Sequence, residues 1–237
     1  MPSYFLSLFR SSGITVFVLT LIFSLLFSEC EQNSKPVLNE GYIEYDISYP
    51  PVSSQDRLLA SMMPSKMVLL FKNNLTKSDI SVGLGIMNAS FISDPINKRL
   101  LTLLQIVDKK YALSLDSSQV LQQLHQKPKW RLENTRETKK ILGYKCHKVI
   151  ATGEHGEIIN LFYTDDLNIF DSNWSTPYHE IKGVLMEYDL VLNNVRMKLV
   201  ASKVEGTEIS PDVFGVPAGY SLVTKEEMPE IFSQFFD

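Results

Sequence analysis

Residues 184–205 carry the clearest pattern of apolar and polar positions in the chain. From residue 184 to residue 192, one set of alternating side chains is uniformly apolar, which is the period of a strand with one buried face. Asn193-Asn194 follows, and asparagine tolerates the positive φ that a tight hairpin turn needs. The pattern therefore predicts an antiparallel hairpin. Its predicted pairs are Leu192 with Val195, Leu190 with Met197, Tyr188 with Leu199, Met186 with Ala201 and, on the opposite face, Asp189 with Lys198 as a charge pair.

Further strands and short helices precede and follow this hairpin. Three more hairpins are predicted: 66–72 with 75–82 around Asn73-Asn74, 86–93 with 98–107, and 141–152 with 157–164. Single strands are predicted at 41–49, 110–115 and 130–139, and short helices at 54–63, 117–126 and 225–235. The longest irregular connection, 165–182, holds Phe170, Trp174 and Tyr178. Such a loop is typically a packed lid or a functional loop.

These elements predict a mainly β protein of 10 or 11 strands. Short connections join antiparallel neighbours, and a sheet of this size must curl. We therefore expect one large antiparallel curved sheet that forms an open or partial barrel. Two or three short helices are expected on its concave side.

Composition narrows the functional classes. The 237 residues carry a net charge of -4 with mixed signs, so the chain lacks the basic footprint of a nucleic-acid-binding protein. Only two cysteines occur, Cys30 and Cys146, which excludes a disulfide scaffold. The core must therefore come from apolar burial.

The N-terminal region resembles an export signal. Arg10 is the only charge before Glu29, and an apolar run follows it. The residues before Cys30 resemble a lipobox, although Phe27 and Glu29 depart from its pattern. We expect a signal peptide at 1–29, acylation of Cys30, a tether at 30–40 and a single domain at 41–237. An uncleaved anchor and ordinary cleavage are the alternatives, and all three place the domain outside the cytoplasm. The expected location is the cell envelope, in the periplasm or at the outer membrane, with a lipid anchor.

Four motifs resemble a family of exported Gram-negative envelope proteins of unknown function, related to a group named for its GLPGLI signature. The motifs are Gly143-Tyr144-Lys145-Cys146, Phe162-Tyr163-Thr164-Asp165, Lys182-Gly183-Val184-Leu185-Met186-Glu187-Tyr188 and Phe214-Gly215-Val216-Pro217-Ala218-Gly219-Tyr220. The GLPGLI string itself is missing, and Lys182 to Leu185 stand near its place. The resemblance implies a half-barrel similar to the periplasmic lipoprotein carrier, which holds acyl chains in its concavity. It carries over no catalytic residue.

Candidate catalytic chemistry is weak. Cys146 lies mid-strand, where the simplest interpretation is a small buried hydrophobic residue. His147 is adjacent in sequence, yet in a strand it points to the opposite face. The sequence contains no HExxH, CxxC or clustered carboxylate motif. We therefore expect no catalytic residue, no metal and no cofactor.

The leading functional hypothesis is a non-enzymatic envelope lipoprotein. Its curved sheet would bind an apolar ligand or a lipidated partner. Another envelope protein is a further expected partner. The membrane would be reached through the N-terminal anchor. The rival hypothesis is a structural or protein-interaction module whose concavity is filled by its own side chains. The predicted ligand-binding residues share one face of the 184–205 hairpin: Met186, Tyr188, Leu190, Met197 and Leu199.

Overall fold

Twelve strands form one sheet in the computed structural model, which describes residues 37–49, 63–127, 129–192 and 195–233. The order across the sheet is β12-β6-β5-β4-β3-β2-β1-β11-β10-β9-β8-β7. The strands are β1 (Glu40–Ser48), β2 (Lys66–Lys72), β3 (Leu75–Val82), β4 (Met87–Asp94), β5 (Arg99–Ile106), β6 (Lys109–Leu115), β7 (Trp130–Ile141), β8 (Tyr144–Gly153), β9 (Ile158–Thr164), β10 (Val184–Leu192), β11 (Val195–Glu205) and β12 (Ser221–Leu222).

The predicted fold class is confirmed. All neighbouring strands are antiparallel except β12, which runs parallel to β6, and the end strands β12 and β7 do not pair with each other. The sheet is therefore curved and open. Two α-helices occur in the described part, α1 (Ser117–His125) and α2 (Glu227–Ser233), along with single 3-10 turns at Gly83–Gly85 and Pro211–Phe214. The helix predicted at 54–63 lies outside the described residues.

The predicted register of the β10–β11 hairpin is confirmed from Glu187 to Leu192. Leu190 pairs with Met197, Tyr188 with Leu199, and Asp189 lies opposite Lys198. The predicted charge pair between Asp189 and Lys198 is wrong, however, because each side chain pairs with a different residue. The Arg196 Nε donates to Asp189 Oδ2 at 2.5 Å, and the Lys198 Nζ pairs with Glu187 Oε1 at 2.7 Å. Strand twist brings these diagonal neighbours within reach of long side chains.

Turn chemistry fixes two other hairpins. Asn73 and Asn74 have φ of 49° and 73°, as a two-residue hairpin turn requires, and the bounds of β2 and β3 match the prediction. The boundary predicted at residue 141 is wrong. Ile141 ends β7, and Leu142 and Gly143, both at positive φ, make the turn into β8. A leucine is an unusual residue for that conformation, which is why the sequence pattern concealed the turn.

The two faces of the sheet are covered differently. The concave face holds the largest apolar cluster, centred on β1, β8, β10 and β11. On the opposite face of the β2–β6 half, the segment after β11 places Ile209 and Phe214 against Leu101 and Leu103. Strand β5 is consequently packed on both faces, which explains its nearly continuous apolar sequence. The concave face is left for the long connection and α1 to cover.

Candidate functional site: a covered cavity in the concave face

A cavity of about 290 Å³ lies between the concave face of the sheet and the elements that cover it. Strands β1 to β5, β10 and β11 form its floor and walls, and helix α1 and the 165–183 connection contribute the remaining lining. Its volume is at the lower end of the range of about 300–1,000 Å³ found for ligand pockets. The interior of the domain is therefore not completely filled by its own described side chains.

Three of the five predicted ligand-binding residues line this cavity. Tyr188, Leu190 and Met197 form part of its wall. Met186 and Leu199 do not line it and are 0% exposed. The register of β10 against β9 shifts between Leu185 and Glu187, which interrupts the strand alternation at Met186, and Leu199 is enclosed in the apolar cluster of the concave face. Ligand binding by this set stays a prediction.

Two tyrosines fix the wall where the two halves of the sheet meet. The rings of Tyr45 and Tyr188 contact edge to face with centroids 5.7 Å apart. The Tyr45 hydroxyl donates to the Leu185 carbonyl oxygen at 2.9 Å. Burial raises the pKa of both phenols. These side chains are therefore neutral and rigidly held.

The 165–183 connection is a packed lid, one of the two predicted alternatives. Its Trp174 Nε1 donates to Ser93 Oγ at 2.7 Å, which attaches the connection to β4. Its Tyr178 hydroxyl donates to the Asp189 carbonyl oxygen at 2.6 Å, which attaches it to β10. Trp174 and Tyr178 are both buried. The connection therefore spans the concavity and is anchored on two distant strands.

A buried carboxylate strengthens this lid. Asp171 accepts from the Lys98 Nζ at 2.8 Å and from the Lys182 Nζ at 2.9 Å. Burial raises the pKa of Asp171, but the hydrogen bonds from the two lysines outweigh that effect and hold it below its ordinary value. Lys98 belongs to the β4–β5 turn, so this ion pair links the lid to the far half of the sheet.

Hydroxyl side chains form a polar region of the lining that sequence reasoning missed. Thr76 and Ser93 lie opposite each other on β3 and β4, and Ser78 and Thr102 extend the region. The alternation of Thr76 and Ser78 along β3 was visible in the sequence. Small hydroxyl residues that alternate along a strand do not, however, indicate which face of the sheet is buried. The cavity thus combines an apolar wall with a hydroxyl-lined wall.

Lysine 127 gives the cavity its charge. Among the described residues that line the cavity it is the one charged side chain, and the lining includes no aspartate or glutamate. Although the Lys127 side chain is exposed at the surface, the surrounding protein lowers its pKa by desolvation. The described lining of the cavity therefore carries one positive charge, at Lys127, and no negative charge.

Cys146 and His147 are not arranged as a nucleophile and its base. Cys146 is 0% exposed, and burial raises the pKa of its thiol to about 11, so the thiolate nucleophile is suppressed. His147 stacks near Tyr163 with ring centroids 5.6 Å apart, and Tyr163 is not a cavity residue. Within the ranges described, no three side chains of His, Cys, Asp or Glu are grouped to hold a metal ion.

The membrane-related predictions fall mainly on residues that the structure does not describe. Cys30, the signal peptide at 1–29 and most of the tether at 30–40 lie outside the described ranges. Among the helices of the described part, none combines the length and apolar character needed to span a bilayer.

The fold and the cavity define the structural class of this protein: a large, open, curved antiparallel sheet whose concave face is covered by a lid. The model of one family, described as "N-glycanase peptide, N-terminal domain", matches residues 66–214, more than half of the chain. The chain therefore belongs to this family.

A solved structure provides a second comparison. It is titled "Structure of PNGF-II in C2 space group" and matches with a TM-score of 0.48 and 16% sequence identity over 78% of this chain. The matched region spans 31% of the length of that solved chain. No curated protein matches this sequence.

Proposed function

We propose that this domain is a non-enzymatic module that binds an apolar ligand, or the acyl chain of a lipidated partner, in the cavity beneath its lid. The cavity itself carries the proposal, because the described side chains leave a space of about 290 Å³ against the concave face. Tyr188, Leu190 and Met197 would contact the ligand. Acylation of Cys30 would hold the domain at the cell envelope, in the periplasm or on the outer membrane.

The composition of the lining supports a binding role. Its described residues combine methionine, leucine and hydroxyl side chains and include no histidine, cysteine or carboxylate. Methionine side chains adapt to irregular apolar ligands. The GLPGLI-related resemblance and the similarity to the lipoprotein carrier remain predictions that agree with this role.

The experiment fills the cavity from within. Ser78 lines the cavity on β3, so Ser78→Phe would place a ring in it. We expect the purified full chain to take up the apolar fluorophore N-phenyl-1-naphthylamine. Ser78→Phe should weaken this uptake by about tenfold, or roughly 1.4 kcal/mol, and urea unfolding should show that the variant remains folded.

Ser81→Phe is the matched control. Ser81 belongs to the same strand but lies three residues from Ser78, so its side chain points to the opposite face of the sheet, where it is exposed. This variant should bind the fluorophore as the original chain does. If the original chain takes up no fluorophore, or if both variants bind it equally, the cavity is not a binding site and the structural-module hypothesis replaces the proposal.

A further inference from the structure

We propose that the ligand is an anionic amphiphile, with one apolar chain in the cavity and an anionic head group that Lys127 recognises. This inference rests on the proposed function, because it requires that the cavity be occupied by a ligand. It goes further by assigning the charge of the ligand and the residue that selects it.

The first observation is the pattern of helix α1. Val120, Gln123 and Leu124 belong to the helix, and Lys127 follows two residues after its last residue, His125; all four line the cavity. A helix that only closes a core would place apolar residues at each of these positions. Here Val120 is buried, Gln123 is half-buried, and Lys127 is exposed where it borders the cavity. Such departures from the core pattern are expected at functional sites.

The second observation is the absence of a compensating charge. No described carboxylate lines the cavity beside Lys127, and none of the described ion pairs involves it. Its backbone N–H donates to the Leu124 carbonyl oxygen at 3.1 Å, which closes a turn after the end of helix α1 and fixes the backbone of Lys127 relative to the helix. An ammonium group that borders the cavity and has no anionic partner among the described residues is complementary to an anionic ligand group.

The third observation is the division of the lining. The Met67, Ile80 and Met197 side chains supply an apolar surface, whereas Thr76, Ser78 and Thr102 supply hydroxyl groups that can donate to oxygen atoms. A purely apolar ligand would leave these hydroxyls and Lys127 unused. A purely polar ligand would leave the apolar wall uncovered. One apolar chain that ends in a carboxylate or a phosphate satisfies both.

The simplest competing explanation is that Lys127 only packs its aliphatic stem on the rim and extends its ammonium group into water. Lys127→Met separates the two explanations, because methionine keeps an unbranched apolar stem and removes the charge. Lys127→Arg keeps the charge. Lys129→Met is the matched control, because Lys129 is exposed two residues away and does not line the cavity.

The experiment measures displacement of N-phenyl-1-naphthylamine by four twelve-carbon probes that differ in the head group: dodecanoate, dodecyl phosphate, dodecanol and dodecyltrimethylammonium. We expect the full chain to bind an anionic probe about tenfold more tightly than dodecanol, as one charge-assisted hydrogen bond would give. Dodecyltrimethylammonium should bind most weakly. The ratio of the two anionic probes identifies a carboxylate or a phosphate as the preferred head group.

Lys127→Met should lose the preference for anionic probes and keep its affinity for dodecanol. Lys127→Arg and Lys129→Met should keep the preference for anionic probes. Equal binding of all four probes by the original chain overturns the anionic assignment and leaves the proposed function intact. An anionic preference that survives in Lys127→Met overturns the role of Lys127. Failure of every probe to displace the fluorophore, or of the fluorophore to bind at all, overturns the proposed function itself.

Discussion

Two methionines on neighbouring strands provide a sharp test of the cavity. Met186 on β10 is 0% exposed and is enclosed in the concave apolar cluster, away from the cavity. Met197 on β11 is 5% exposed and belongs to the same cluster, but it also lines the cavity. The two residues are thus of the same type and are buried to nearly the same degree. The difference lies in whether open space adjoins the side chain.

The two alanine variants should differ in their effect on the free energy of unfolding. Met→Ala removes roughly three methylene-sized groups, which is worth about 2 kcal/mol in transfer free energy at ~0.8 kcal/mol each. A closed site adds about 24 cal/mol for each Å³ of new cavity. We expect Met186→Ala to cost about 3–5 kcal/mol. Met197→Ala should cost about 2 kcal/mol, because its deletion enlarges a space that a ligand or water can occupy.

Urea unfolding at constant slope measures the stability of each variant, and N-phenyl-1-naphthylamine titration measures binding per folded molecule. Met197→Ala should change the dissociation constant for the fluorophore several-fold, and Met186→Ala should leave it unchanged. The reasoning is refuted if Met197→Ala costs as much stability as Met186→Ala and neither the original chain nor the variant binds the fluorophore. Only the self-filled structural module would then remain.

Three further predictions concern the lid, the buried thiol and the N-terminus. Asp171→Asn should destabilise the fold by about 1–3 kcal/mol, because it removes two charge-assisted hydrogen bonds. The pKa of folded Asp171 lies below its ordinary value of 3.8, so the stabilisation from its carboxylate is present above that pH and is lost as pH falls through the folded-state pKa. Urea midpoints measured against pH should show this acid-dependent loss for the original chain and not for the variant. Cys146 should resist alkylation until the protein unfolds, and rapid labelling of the native chain would contradict its burial. Cys30→Ser should abolish acylation, and a mature native protein that carries no lipid mass would refute the lipoprotein hypothesis.

Much of the local structure followed from the sequence, because a strand's period and a tight turn are properties of a few adjacent residues. Asn73-Asn74 fixed the β2–β3 hairpin, and the register of β10 against β11 followed from the apolar pairs. The turn at Leu142 was not predicted, because leucine rarely adopts the positive φ that this turn requires. Strand β12 was not predicted, because two residues are too few to show a periodicity. Its parallel pairing with β6 also joins residues that are more than a hundred positions apart in the sequence.

The sequence by itself determined an antiparallel, mainly β protein with a particular apolar face on its best-defined hairpin. Only the tertiary structure decided what lies above that face. It paired β1 with β11, placed the lid and α1 over the concavity, and separated the buried Met186 from the cavity-lining Met197. Alternation along a strand assigns a side chain to a face. It does not specify the curvature of the sheet or the distant segment that packs there, and these long-range features decide where a cavity remains.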